Sequence, residues 1–165
     1  MAVTPELAVT PIADADVDDV VDLWTRCGLT RPWNDPVADI ALARAGRDAE
    51  VLVARSGGAL VGAAMIGHDG HRGAIYYLAV DPDHRFGGLG RALVEAAGDW
   101  CRERGVPKIN LLVRKENAGV LAFYEALGFA DTNAVCLYKT LDREVAEREA
   151  AQKAVWAARI AAETA

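Results

Sequence analysis

The stretch Tyr77-Leu78-Ala79-Val80-Asp81-Pro82-Asp83-His84-Arg85-Phe86-Gly87-Gly88-Leu89-Gly90-Arg91 has the residue types needed to hold an anion. An apolar strand pattern stops at Asp81-Pro82, a short basic loop follows, and a helical pattern opens on glycines. A helix start offers unpaired backbone N–H groups and the positive end of the helix dipole, which together bind phosphate. Gly87, Gly88 and Gly90 let a phosphate approach without interference from Cβ, and Arg85 adds a charge-assisted contact. Two phosphate-binding patterns fail here. A Walker A loop needs Gly-Lys-Ser/Thr, and Gly90 is followed by Arg91-Ala92. A dinucleotide fingerprint needs a small residue where Leu93 stands, and its glycines follow the strand directly. A glycine-rich loop that only caps a structural helix remains the bland alternative.

A second stretch lies about one helix further on: Asn117-Ala118-Gly119-Val120-Leu121-Ala122-Phe123-Tyr124-Glu125-Ala126-Leu127-Gly128-Phe129. Arg85, Gly88 and Gly90 match R/Q-x-x-G-x-G/A. Asn117, Tyr124, Gly128 and Phe129 match N-x-x-A-x-x-x-Y-x-x-x-G-F. Together the two stretches resemble the GNAT superfamily of N-acetyltransferases. Val120 replaces the usual alanine, and Phe86 stands where a glycine often follows the arginine; neither change removes a backbone donor. Arg31-Pro32-Trp33-Asn34-Asp35-Pro36 and Gly67-His68-Asp69-Gly70-His71-Arg72-Gly73 are similar to a YpeA-type bacterial subgroup. The resemblance covers roughly Glu6 to Leu141.

The resemblance implies a fold and a site. The fold is α/β: a mixed, mostly antiparallel twisted sheet with helices on both faces and a V-shaped cofactor gap between the strands near 74–80 and 108–113. Acetyl-CoA is the implied co-substrate. Its pyrophosphate would lie on the Gly87, Gly88, Leu89, Gly90 and Arg91 amides beside Arg85 and Phe86. Its pantetheine arm would pair with the Leu78, Ala79 and Val80 backbone, with Asn117 and Tyr124 nearby. Tyr124 would protonate the leaving thiolate. A phenol near 10 stays protonated at neutral pH, and a thiol near 8.5 is only a modestly weaker base. An isolated Tyr among Val120, Leu121 and Leu127 would otherwise read as core.

Trp33, Asn34, Asp35, Tyr76 and Tyr77 are the candidate acceptor-binding residues. Trp33 offers a flat face for a cation, Asn34 both donors and acceptors, and Asp35 a negative charge. Equally, Asp35 and Pro36 suit the cap and first position of a helix. No strong general base stands out. His71 lies six residues from Tyr77, on the order of 20 Å along a strand. His68, Asp69 and His71 therefore read as turn or surface residues, and Tyr76, Tyr77 or water as a relay. An α-amine deprotonates more easily than a lysine by roughly 3.5 kcal/mol, which favours α-amines on small molecules or peptide N-termini. A ribosomal-protein N-terminal acetyltransferase and a non-catalytic acetyl-CoA sensor are the rival functions. The donor could equally carry a longer acyl group.

The elements that must position these groups follow from period and punctuation. Strands are expected at 6–12, 51–54, 60–66, 74–80, 108–113 and 136–140. Helices are expected after Asp14 or Asp16, at 37–45, at 88–104, from Asn117 to Leu127, and in the Ala-rich tail. Asp14 or Asp16, and Asn117, are expected to cap the helices that follow them. Residues 1–141 read as one domain and 142–165 as a helical appendage that docks on the domain or on a second subunit.

The chain's 165 residues and its hydrophobic fraction, just over half, suit one globular domain. A net charge of −6 makes nucleic acid an improbable partner. Cys27, Cys101 and Cys136 are odd in number and far apart, which argues against a disulfide framework or a zinc site and reads as plain packing in a reducing compartment. The start, MAVTPELAVTPIADAD, lacks a basic n-region. No metal, no membrane segment, a cytoplasmic location and a possible homodimer complete the expectations.

Overall fold

The computed structural model describes residues 7–85 and 87–163. Glu6, the expected first strand residue, and Phe86 lie outside the described residues. The order is β1 (Leu7–Pro11), α1 (Val17–Arg26), α2 (Pro36–Arg44), β2 (Ala49–Ser56), β3 (Ala59–His68), β4 (Gly73–Val80), α3 (Leu89–Glu103), β5 (Ile109–Leu111), α4 (Ala118–Glu125) and α5 (Arg143–Glu163). The sheet runs β1-β2-β3-β4-β5. The first three pairings are antiparallel and β4–β5 is parallel.

Alternation along the strands sends side chains to two cores. Leu52, Ala54, Ile66 and Ile75 meet Leu93, Ala97 and Trp100 of α3. Val51, Val53, Ala63 and Ala79 meet Val20, Leu23 and Trp24 of α1 and Ile40 of α2. The sheet is thus covered on both faces, as an α/β mixed sheet requires.

One irregularity shapes the site. Ala63 faces Ala79 and Met65 faces Tyr76. Between those pairs β4 has two residues, Tyr77 and Leu78, where β3 has only Ala64. This is a β-bulge, and Tyr77 carries it at φ 53°, a conformation a bulky residue rarely adopts. The extra residue turns Tyr76 and Tyr77 to the same face, that of α1 and α2. A bulge also bends and twists its strand. The β4–β5 pairing stops at Ile75 and Leu111, so the β5-facing edge of Tyr76 to Val80 has no strand partner. This is the V-shaped gap.

Four expectations need correction. The strand of 108–113 is only three residues long. Residues 136–140 form no strand: Asn133 turns the chain at φ 53°, and the segment is held from α5 instead. The Thr140 hydroxyl donates to Glu149 Oε2 at 3.0 Å, and Lys153 Nζ donates to the Tyr138 hydroxyl at 2.8 Å. Asp16 makes no cap bond to α1. Its carboxylate accepts from Ala13 N and pairs with Arg55, both of which hold it below its usual range. Asn117 precedes α4, but its side chain makes no cap bond either; its carbonyl accepts from Val120 N and Leu121 N at 3.1 Å.

Candidate active site

Gly88 begins α3 at φ +81°, where only glycine is unstrained, and it has no side chain to cap the helix. The first amides of α3 are therefore open to a ligand. Arg85 is exposed at this end. Gly90 has a packing reason as well: a Cβ there would lie 3.1 Å from the Phe123 ring and 3.8 Å from Val80 Cγ2. The end of β4, the start of α3 and the face of α4 meet at this glycine.

Tyr124 follows Phe123 and is buried, at 7% exposure, in edge-to-face contact with Phe123 and Phe129 at ring-centroid distances of 5.0 and 5.3 Å. Phe129 is fixed by the end of α4: Gly128 N reaches Glu125 O and Phe129 N reaches Tyr124 O, a Schellman pattern. Burial alone pushes the Tyr124 hydroxyl up to about 12, so it is a proton donor at neutral pH. Asn117, just before the start of α4, is exposed, its side chain free of the helix cap.

The opposite face of the gap is polar at one point. The Tyr77 ring stacks on Trp24 with centroids 4.3 Å apart. Its hydroxyl donates to Asp39 Oδ2 at 2.8 Å and accepts from Asn34 Nδ2 at 3.3 Å. Burial, with the Asp39 carboxylate beside it, pushes this hydroxyl up to about 12. Asp39 is the residue that sequence reasoning missed. Its only signal was its place on α2, one turn after the Asp35 cap.

Asp35 does cap α2: its Oδ1 accepts from Ala38 N at 3.0 Å, with Pro36 as the first helical residue. Trp33 departs from expectation. Its ring already faces a cation of this chain, Lys153 Nζ at 5.5 Å, and the edge of Trp156 at 6.1 Å. Tyr76 is half exposed and lines a cavity of about 830 Å³ with Met65, His68, Leu111, Leu112 and Cys136. His68 is not a turn residue. It ends β3, half-buried, with its ring 5.6 Å from that of Trp100 and its Nδ1 accepting from Gly70 N at 3.1 Å. Asp69 does hold the turn, accepting from His71 N and Arg72 N at 2.8 and 2.7 Å. Cys101 is buried, Cys27 donates to Val80 O at 3.4 Å, and Cys136 is exposed on the cavity, which is not a packing role.

A splayed parallel strand pair, a bulge at its opening and an uncapped glycine-led helix beside it are a combination that can be matched to known proteins. Residues 17–129 match the model of the acetyltransferase (GNAT) family. The chain belongs to that family. An acetyltransferase of Sodalis glossinidius is 46% identical over 123 residues, 74% of this chain and 86% of the relative. One of Pectobacterium atrosepticum is 44% identical over 132 residues, 78% and 93% of the two chains. The solved structure of AAC(6')-Iy with a CoA-linked bisubstrate analog has a TM-score of 0.71 at 19% identity, covering 83% of this chain and 99% of that one. Glucosamine-6-phosphate N-acetyltransferase from Arabidopsis thaliana gives 0.66 at 21%, covering 83% and 99%. This GNAT chain is an acyltransferase, and its mixed sheet is the GNAT sheet. Among the described residues no helix is long and apolar enough to cross a membrane.

Proposed function

We propose that the protein transfers the acetyl group of acetyl-CoA to an α-amine by direct attack on the thioester. The observation that carries this reading is the meeting of the unpaired β4 edge with the uncapped start of α3 at Gly90. The amides at 87–91 and the Arg85 side chain would take the pyrophosphate. The Leu78, Ala79 and Val80 backbone would pair with the pantetheine arm, and Asn117 would add its free amide. Acetyl-CoA supplies the activated carbonyl. Tyr124, with its proton retained to about 12, gives that proton to the departing sulfur. On the other face the Tyr77 hydroxyl takes a proton from the attacking nitrogen as its own passes to Asp39. The Asp35 oxygen not used in the cap, Tyr76 and Asn34 would line the acceptor's path.

The α-amine preference rests on the absence of a stronger base among these groups: the more acidic ammonium needs less help. Thiol release from acetyl-CoA over a panel of α-amines, ω-amines and peptide N-termini tests both parts. Turnover with α-amines above ω-amines is expected. A second measurement separates binding from chemistry. Acetyl-CoA at about 100 times its Kd should stabilise the protein by about 2.7 kcal/mol, and Gly88→Val should abolish the shift in Tm. No shift at millimolar acetyl-CoA would overturn the assignment.

A further inference from the structure

Between the 32–36 loop and α5 lies a second cavity, of about 330 Å³, lined by Pro32, Trp33, Asn34, Asp35, Pro36, Arg148 and Gln152. Its polar groups are unsatisfied in a particular way. Gln152 Oε1 is buried and has no hydrogen-bond partner. A buried acceptor left alone is costly and calls for an N–H donor. Asn34 uses its Nδ2 on the Tyr77 hydroxyl, which leaves its Oδ1 to accept. Asp35 uses only Oδ1 for the cap. These acceptors form one side of the cavity's chemistry. The other is Arg148, an exposed guanidinium that makes no ion pair among the described residues, although α5 pairs its other basic side chains Arg143, Lys153 and Arg159 with Glu147, Glu149 and Glu163. A guanidinium fork fits a carboxylate bidentately.

We infer that this cavity binds the acceptor as a free α-amino acid, its carboxylate on Arg148 and its ammonium among Gln152 Oε1, Asn34 Oδ1 and Asp35. The arrangement is the complement of a zwitterion: acceptors for three N–H bonds and a fork for one carboxylate. Asn34 belongs both to this cavity and to the Tyr77 hydroxyl, so an ammonium held here is one side chain from the proposed proton path. The inference rests on the acetyltransferase reading and names its acceptor class. It also gives α5, which lies beyond the residues matched to the family, a part in the site.

The test uses the full chain and titration calorimetry with the common L-amino acids and their C-terminal amides. At least one amino acid is expected to bind at about 1 mM or tighter, with its amide at least about tenfold weaker. Arg148→Gln should erase that difference, and Arg148→Lys should keep part of it, with acetyl-CoA affinity and Tm unchanged in both. Amides that bind as well as acids, or no binding by any amino acid, would overturn the inference. Thiol release measured on the same compounds separates the two failures. Release with amines lacking a carboxylate, without preference for acids, sinks the amino-acid site and leaves acetyl transfer standing. Amino-acid binding without release of thiol from any amine sinks the transfer reading.

Discussion

Tyr124 has its hydroxyl raised by burial and by nothing else, so a phenylalanine in its place keeps the packing against Phe123 and Phe129 and removes only the hydroxyl that carries the proton. Tyr124→Phe should lower kcat about 100-fold or more while acetyl-CoA affinity barely changes, as expected for loss of a general acid. Near-normal kcat with chemistry rate-limiting would return Tyr124 to the core. The same burial has a stability consequence. The unfolded phenol titrates near 10 and the folded one near 12. Between those values the unfolded chain loses its proton and the folded chain keeps it, so stability is full below pH 10 and falls as pH rises towards 12. Chemical denaturation across that window should show a smaller fall for Tyr124→Phe than for the parent, with Tyr77 supplying part of what remains. At this scale the sequence was a good guide to some local roles and not to others: Asp16 and Asn117, read as caps, make no cap bond. Asp35 as a cap and Gly128-Phe129 as a helix end need only their neighbours. Asp39 was illegible because its meaning comes from Tyr77, 38 residues away on another element.

Among the elements, the helices and hairpins followed from apolar period and glycine, and the bulge did not. Nothing in Ile75-Tyr76-Tyr77-Leu78 announces a positive φ, since the cause is the register imposed by β3 on one side and the departure of β5 on the other. The same limit explains residues 136–140. Their composition suits a strand, and their side chains are held by α5 instead. Gly73 shows tertiary demand behind a glycine that reads as turn chemistry: a Cβ there would lie 2.5 Å from Cys101 Sγ and 3.2 Å from Ile109. Gly73→Ala should cost about 1–3 kcal/mol, the range for overpacking, and loosen β4 from β5; denaturant midpoints measure it. Unchanged stability would mean that α3 moves freely against the sheet. Asp35→Ala should cost about 1 kcal/mol through the lost cap, while Asp35→Asn, which still accepts from Ala38 N, should keep Tm. A raised acceptor KM in Asp35→Asn alone would add the substrate role to the cap.

For the molecule as a whole, the question is how α5 is fastened. Its 21 residues bury none of their number fully, and Val155 is exposed. Most of its ion pairs run along its own surface, where each is worth little. Its hold on the domain is aromatic: Trp156 edge-on to Trp33, the Arg31 guanidinium 5.8 Å from the Trp156 ring, and Lys153 over Trp33. Such contacts contribute on the order of 1 kcal/mol each, enough to bias docking and too little to join α5 to the cooperative core of β2, β3 and β4. Trp156→Ala should therefore raise amide exchange along 143–163 about tenfold, equivalent to about 1.4 kcal/mol. Exchange in β2–β4 and the global Tm should stay where they are, because Trp156 touches no residue of either core cluster. If instead the core strands exchange faster together with α5, the helix is part of the folding unit, and the aromatic contacts at Trp33 stabilise the whole domain and not only its last helix.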